Sequence, residues 1–317
     1  MSTTTAIAPP PAHAPNNLDL TPKQAWIRRI PLLPALVFTI ILTQLPFVAT
    51  LGISFMNWNA YRPDLKGFAG LSNYVKVFTD PDLLRSVWVT ILMTVTVVLV
   101  SLVLGLGIAL LLNRVFLGRG LVRTMMITPF LIVPVAAALL FKHAIYNPIF
   151  GLLNGVITWV WGIFGSTDAP QVDWITQFPL GSIEVTLIWQ WTPFMTLILL
   201  AGLQSRPAEV LEAAAVDGAN PWQMFVHMTL PHMRQYLELA GLLGAIYVVQ
   251  TFDAVYTITS GALGTANLPF TIYQTLFTAQ DYGLASAQGV IVVLGSILIA
   301  TFAVKNVSSL LAKDGGK

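Results

Sequence analysis

Six stretches of the sequence, 30–55, 87–112, 122–141, 183–203, 236–258 and 285–304, run mainly apolar for the roughly 20 residues that an α-helix needs to cross a bilayer. Runs of that length read as transmembrane helices. The composition agrees. Residues are 56% hydrophobic and 9% charged, against about 25% charged in a soluble domain. The expected fold class is an all-α membrane protein with six transmembrane helices. A seventh run, 149–164, is shorter and contains Gly151, Asn154 and Gly162. Its Trp159 and Trp161 suit a helix lying at the membrane interface, where aromatic rings gather.

Charge sets the orientation. With six spans and the N-terminus inside, the inner segments hold eleven of the 16 Lys and Arg residues and the outer segments five, as the positive-inside rule requires. Both termini are then cytoplasmic. The expected organisation is a disordered tail over 1–22, rich in Pro, Ala, Thr and Asn, a membrane domain over 23–312, and a short tail over 313–317. The first apolar run exceeds a signal-peptide core and no small-residue cleavage site follows it, so an uncleaved first span is expected. The net charge of +2 does not point to nucleic acid. The absence of cysteine excludes disulfides, thiolate zinc and iron–sulfur sites. The four scattered histidines have no ligand spacing.

One inner segment, 205–233, is polar where its flanks are not. Pro207 starts a run of strong helix formers, and Gly218 can take the left-handed conformation that ends it. Asn220 then reads as an N-cap, Pro221 as the first helical position and Gln223 as the third residue of a capping box. The second helix is expected to run to about Thr229 and to stop before Pro231. It carries Trp222, Met224, Phe225, Val226 and Met228, too much apolar surface to face water. It could fill a groove on another protein or lie on the membrane as an anchor. It lacks the basic face that anchors favour.

The spacing Glu212-Ala213-Ala214, Gly218, Met228, Leu230-Pro231 resembles the EAA loop of binding-protein-dependent ABC importer permeases, with Met228 where Ile is usual. GLSNYVKVF at 70–78, LGLGIALLLNR at 104–114, TPFLIVPVAAALLFK at 128–142, WQWTPFMTLILLAGLQ at 189–204, FDAVYTITSG at 252–261 and YGLASAQG at 282–289 are similar to the carbohydrate-uptake branch. Gly261-Ala262-Leu263-Gly264 stands where that branch commonly has Gly-Gly-Pro. The resemblance implies a bacterial inner-membrane permease with no cofactor of its own. ATP and Mg would be bound by a partner ATPase dimer, and no Walker A motif occurs here. The other implied partners are a second, usually different, six-span permease, an extracytoplasmic solute-binding protein and membrane lipid. The loop would be the ATPase-coupling element. Trp222, Phe225 and Met228 would fill a groove, Glu212 would make polar contacts or hold the loop's geometry, Gly218 would permit the bend and Pro221 would start the helix.

For a sugar or polyol, flat aromatic faces and amide or hydroxyl partners are needed. The fourth span offers Trp189, Gln190, Trp191 and Phe194; the fifth offers Tyr247, Gln250 and Thr251. By resemblance to maltose-type permeases, Trp191, Phe194, Tyr247 and Thr251 match solute contacts, and Gln250 completes the candidate set. The segment 265–277 is most similar to polyol permeases, favouring a sorbitol- or mannitol-like cargo. Glu184 and Glu238 lie near span ends, where wet or capping positions are expected; Asp253 is deeper and could hold helices together. The alternative is an ion-coupled secondary transporter, which commonly shows paired broken helices. None is visible in the sequence, and the EAA-like loop would go unexplained.

Overall fold

A computed structural model describes residues 30–165 and 168–314. The expected disordered tail over 1–22 lies outside these residues, as does the end of the C-terminal tail. The chain divides into two units, Met1–Thr50 and Leu51–Lys317. In the first, a 3-10 turn at Ile30–Leu32 leads into α1, Leu33–Ser54, whose last turn belongs to the second. Its large side chains are exposed; Phe38 is 65% accessible. The hydroxyls of Thr39, Thr43 and Thr50 donate to the carbonyls of Ala35, Thr39 and Pro46. A helix in lipid needs such pairing, because no water is there to satisfy a hydroxyl.

The second unit begins with a small hairpin, in which β1, Met56–Asn57, pairs antiparallel with β2, Gly67–Phe68. Then come α2, Ser72–Thr79, and α3, Pro81–Asn113. Asp80 caps α3, its side chain accepting from the amides of Asp82 and Leu83, and Pro81 fills the first position, where no N–H is needed. The third apolar run forms two helices, α4, Arg119–Leu131, and α5, Pro134–Leu140, the latter continued by a π-turn at Phe141–Ile145. The pair is bent by 97°. The cause is local: Val133 is extended (ψ 132°), as a residue before proline must be.

Helix α6, Leu152–Ile163, has 12 residues, about 18 Å of rise against a core of about 30 Å. It is too short to span. Short α7, Trp174–Gln177, precedes α8, Pro179–Gln204. The loop helices follow as α9, Ala208–Val216, and α10, Pro221–Met224. The fifth run is α11, Leu230–Val248, and α12, Asp253–Ile258. Finally come α13, Leu268–Tyr273, with a π-turn at Gln274–Thr278, and α14, Tyr282–Asp314.

Among the described residues, three helices are long and apolar enough to cross a membrane: Ile30–Ser54, Pro81–Asn113 and Pro179–Gln204. The bent pair makes a fourth if it counts as one span. The six runs read from sequence are therefore not six unbroken rods: the third is bent, and the fifth is cut at 249–252 into helices of 19 and 6 residues.

Helices α3 and α8 form the centre. A Cβ on Gly105 would lie 3.0 Å from Met195 Cβ and 3.2 Å from Thr196 N, so only glycine lets these backbones come so close. Met93, Val97, Ile183, Leu187, Val248 and Val255 form one buried cluster and Ala109, Leu199, Leu203 and Met233 another. Lipid tails are as apolar as these side chains, so the gain here comes from close packing rather than escape from water. Buried Thr186 and Thr196 return their hydroxyls to Ser182 O and Thr192 O. Thr90 both donates to Ser86 O and accepts from Leu268 N at 2.8 Å, tying α13 to α3.

Candidate functional site

Two places collect the residues singled out above. The first is a cavity of about 390 Å³ lined from α4, α5, α8, α11 and α12. Trp191, Tyr247, Gln250 and Thr251 line it. Trp191 stacks on Tyr247, with centroids 5.4 Å apart and planes at 29°. Phe194 does not line the cavity; it stands behind Trp191 at 5.8 Å, edge to face. The sequence reading missed Phe130. This ring lines the cavity and packs on Trp191 at 5.7 Å and on Phe194 at 5.1 Å.

Both helix breaks border this cavity. Ile132 and Pro134 line it from the first, and Gln190 Nε2 donates to Ile132 O at 3.0 Å, occupying a carbonyl that the break leaves free. At the second break Asn267 Nδ2 donates to Thr251 O, while Phe252 and Asp253 line the wall. Irregular backbone at membrane depth is tolerated where it is buried in protein or lines a cavity. Paired broken segments, not visible in the sequence, are thus present. Pro134 inside an apolar run was the available signal for the first. Their supposed absence no longer argues against a secondary transporter.

The acidic residues sort differently. Asp253 faces the cavity. Glu238 pairs with Arg234 at 2.8 Å on one face of α11. Glu184 is half-buried, with one carboxylate oxygen enclosed and unpartnered among the described residues.

The second place is the loop 205–233. Helix α9 ends with Gly218 N donating to Ala215 O and Ala219 N to Ala214 O. This pairing requires a left-handed residue at Gly218, whose φ is +84°. Gln223 N donates to Asn220 Oδ1 at 2.8 Å, and Asn220 N to Gln223 Oε1 at 2.9 Å. The capping box is complete and Pro221 follows it at the first helical position.

Contrary to the expected stop before Pro231, the second helix runs on through it. A π-turn at Phe225–Thr229 joins α10 to α11, and Leu230 N donates to Phe225 O. The wider turn absorbs the missing N–H of Pro231, so the helix passes through the proline. Trp222 is 71% exposed and stacks on half-buried Phe225 at 5.7 Å. Met228 is half-buried and lines both a groove that includes Gly218 and a second hollow beside Arg206 and Leu211. Glu212 is exposed.

The loop's two ends are tied together. Arg206 Nη1 donates to Thr229 Oγ1 and Arg206 Nε to Leu203 O. Ser205 Oγ lies 2.8 Å from Tyr236 OH and 3.1 Å from His232 Nε2, and that nitrogen also reaches Gly202 O at 3.2 Å. Burial draws the pKa of Arg206 down from its ordinary value, yet a guanidinium stays charged at neutral pH.

Long apolar helices, two helix breaks beside an aromatic cavity, and a capped loop with an exposed tryptophan are features of a membrane transport subunit. The chain belongs to the family of binding-protein-dependent transport system inner membrane components, which matches residues 101–313. It is a permease subunit of an ABC importer and not an enzyme. Family membership, rather than the count of broken helices, sets aside the secondary transporter. The chain is 32% identical over 295 residues to the trehalose/maltose transport system permease protein MalF of Thermococcus litoralis, covering 91% of this chain and 96% of that protein. It is 32% identical over 269 residues to the trehalose transport system permease protein SugA of Mycobacterium tuberculosis, covering 85% and 84%. Its fold is similar to that of a chain in a bacterial ABC transporter involved in the import of the acidic polysaccharide alginate. That likeness has a TM-score of 0.74, 22% identity and coverage of 90% and 96%, and it bears on the fold alone.

Proposed function

We propose that this chain is one of two membrane subunits of an importer for a carbohydrate or polyol, with a sorbitol- or mannitol-like solute favoured. It would cross the inner membrane six times, with both termini and the loop 205–233 in the cytoplasm. The domain would run over 23–312. The helices α11 with α12, and α14, would provide the spans beyond the three long rods and the bent pair.

The observation that carries this reading is the loop. Its caps fix a helix on which exposed Trp222 stacks on half-buried Phe225, a surface suited to a groove on a partner. A separate ATPase dimer, holding ATP and Mg, would grip Trp222, Phe225 and Met228. Its closure would pull on the continuous α10–α11 rod and swing the attached spans as rigid bodies. Solute handed over by an external binding protein would enter the aromatic cavity, with Trp191, Tyr247, Gln250 and Thr251 as the contact set and Phe194 supporting Trp191 from behind. A second, different permease would complete the cavity. The carbohydrate class is supported by the sugar-transport relatives and by stacked aromatic faces beside an amide and a hydroxyl.

The test uses the complete transporter in proteoliposomes. ATP without an ion gradient is expected to drive uptake of sorbitol, mannitol or trehalose; uptake driven by a gradient alone would overturn the reading. Gly218→Trp is expected to abolish co-purification with the ATPase while membrane insertion stays normal. Intact co-purification would remove the docking role.

A further inference from the structure

Among the twelve residues lining the cavity, Asp253 alone carries a charge. It is half-buried, and its carboxylate has no ion-pair partner among the described residues, where Arg234–Glu238 is the pair that forms. An ionised carboxylate only accepts hydrogen bonds. Its neighbour Gln250 gives one of its two amide hydrogens to Ile246 O at 3.0 Å, and Gln190 gives one of its own to Ile132 O, so both amides keep a donor and an acceptor. The carboxylate of Asp253 is the one lining side chain that only accepts, beside a wall of Trp191, Tyr247 and Phe130. A ligand that satisfies that carboxylate must bring donors.

We infer that Asp253 is a specificity-determining residue of this cavity. It accepts from solute hydroxyls or an ammonium group, and it turns away a solute that carries its own carboxylate. Within a partly enclosed cavity two like charges cost far more than in open water, so the discrimination is built by repulsion as well as by attraction. The inference rests on the carbohydrate reading above and narrows it to neutral or cationic, hydroxyl-bearing solutes.

The sequence has no cysteine, so a thiol placed at cavity-lining Ile132 is the chain's only one. In the complete transporter carrying Ile132→Cys, labelling of this chain by N-ethylmaleimide is followed by mass. Glucose, glucosamine and glucuronate serve as probes that share a ring and differ in charge. Glucose and glucosamine are expected to protect the thiol at concentrations about tenfold below those needed for glucuronate. Asp253→Asn is expected to collapse that difference, and Asp253→Glu to preserve it. Equal protection by glucose and glucuronate, or an unchanged ratio in Asp253→Asn, would overturn the inference while ATP-driven uptake of a neutral sugar left the carbohydrate reading standing. Uptake without any protection would do the same. Absence of ATP-driven uptake for every carbohydrate tried would overturn both.

Discussion

Trp191 is the residue on which the cavity's aromatic wall turns. It touches Tyr247, Phe130 and Phe194, each with centroids within 6 Å. Aromatic pairs contribute about 0.5–1.5 kcal/mol each beyond their buried area. Trp191→Ala is therefore expected to raise the solute KM about tenfold while leaving assembly with the partner subunits nearly unchanged. Uptake assays beside co-purification would check the split. All five candidate contacts were placed by resemblance or by residue type in two runs, and four of them, all but Phe194, line one cavity. Phe130 was not foreseen. In a run as apolar as 122–141, one more aromatic gives no sign of which neighbour it will meet.

At the scale of elements, the coupling loop shows which local rules survive. The caps at Gly218 and Asn220 depend on nearest neighbours only, and both were legible. The stop expected before Pro231 was not obeyed, because a π-turn re-routes the hydrogen bonds around the proline. The tie from Arg206 to Thr229 spans the loop and makes its base stiff. Arg206→Ala would strand Thr229 and loosen that base. The expected outcome is an ATPase that still binds but moves several-fold less solute per ATP, measured as the ratio of uptake to phosphate release. Arg206→Lys should fall between, since an ammonium lacks the planar fork that reaches both partners.

For the whole molecule, the contact of α3 with α8 sets how the other spans can pack. Gly105 sits where even a Cβ would press on Met195 and Thr196. Gly105→Val is expected to destabilise the fold by about 1–3 kcal/mol through overpacking, lowering the thermal midpoint in detergent by several degrees. An unchanged midpoint would mean the two helices can separate at little cost. Gly107, on nearly the opposite face of α3, has open space around its Cβ position and provides the control: Gly107→Val should be mild.

By itself the sequence determined that the chain is helical and built for lipid, where its polar loop lies, and how that loop is capped. These follow from apolar run length and from neighbours within four residues, and such terms do not depend on the rest of the fold. The tertiary structure decided the path of the fifth run and the position of the cavity. The segment Val248-Val249-Gln250-Thr251 contains no helix breaker. It opens where Asn267, sixteen residues away, holds Thr251 O, and no local propensity encodes a hydrogen bond from another element. The carboxylate of Asp253, without an ion-pair partner among the described residues, becomes meaningful for the same reason: only packing shows that five helices leave a space in front of it.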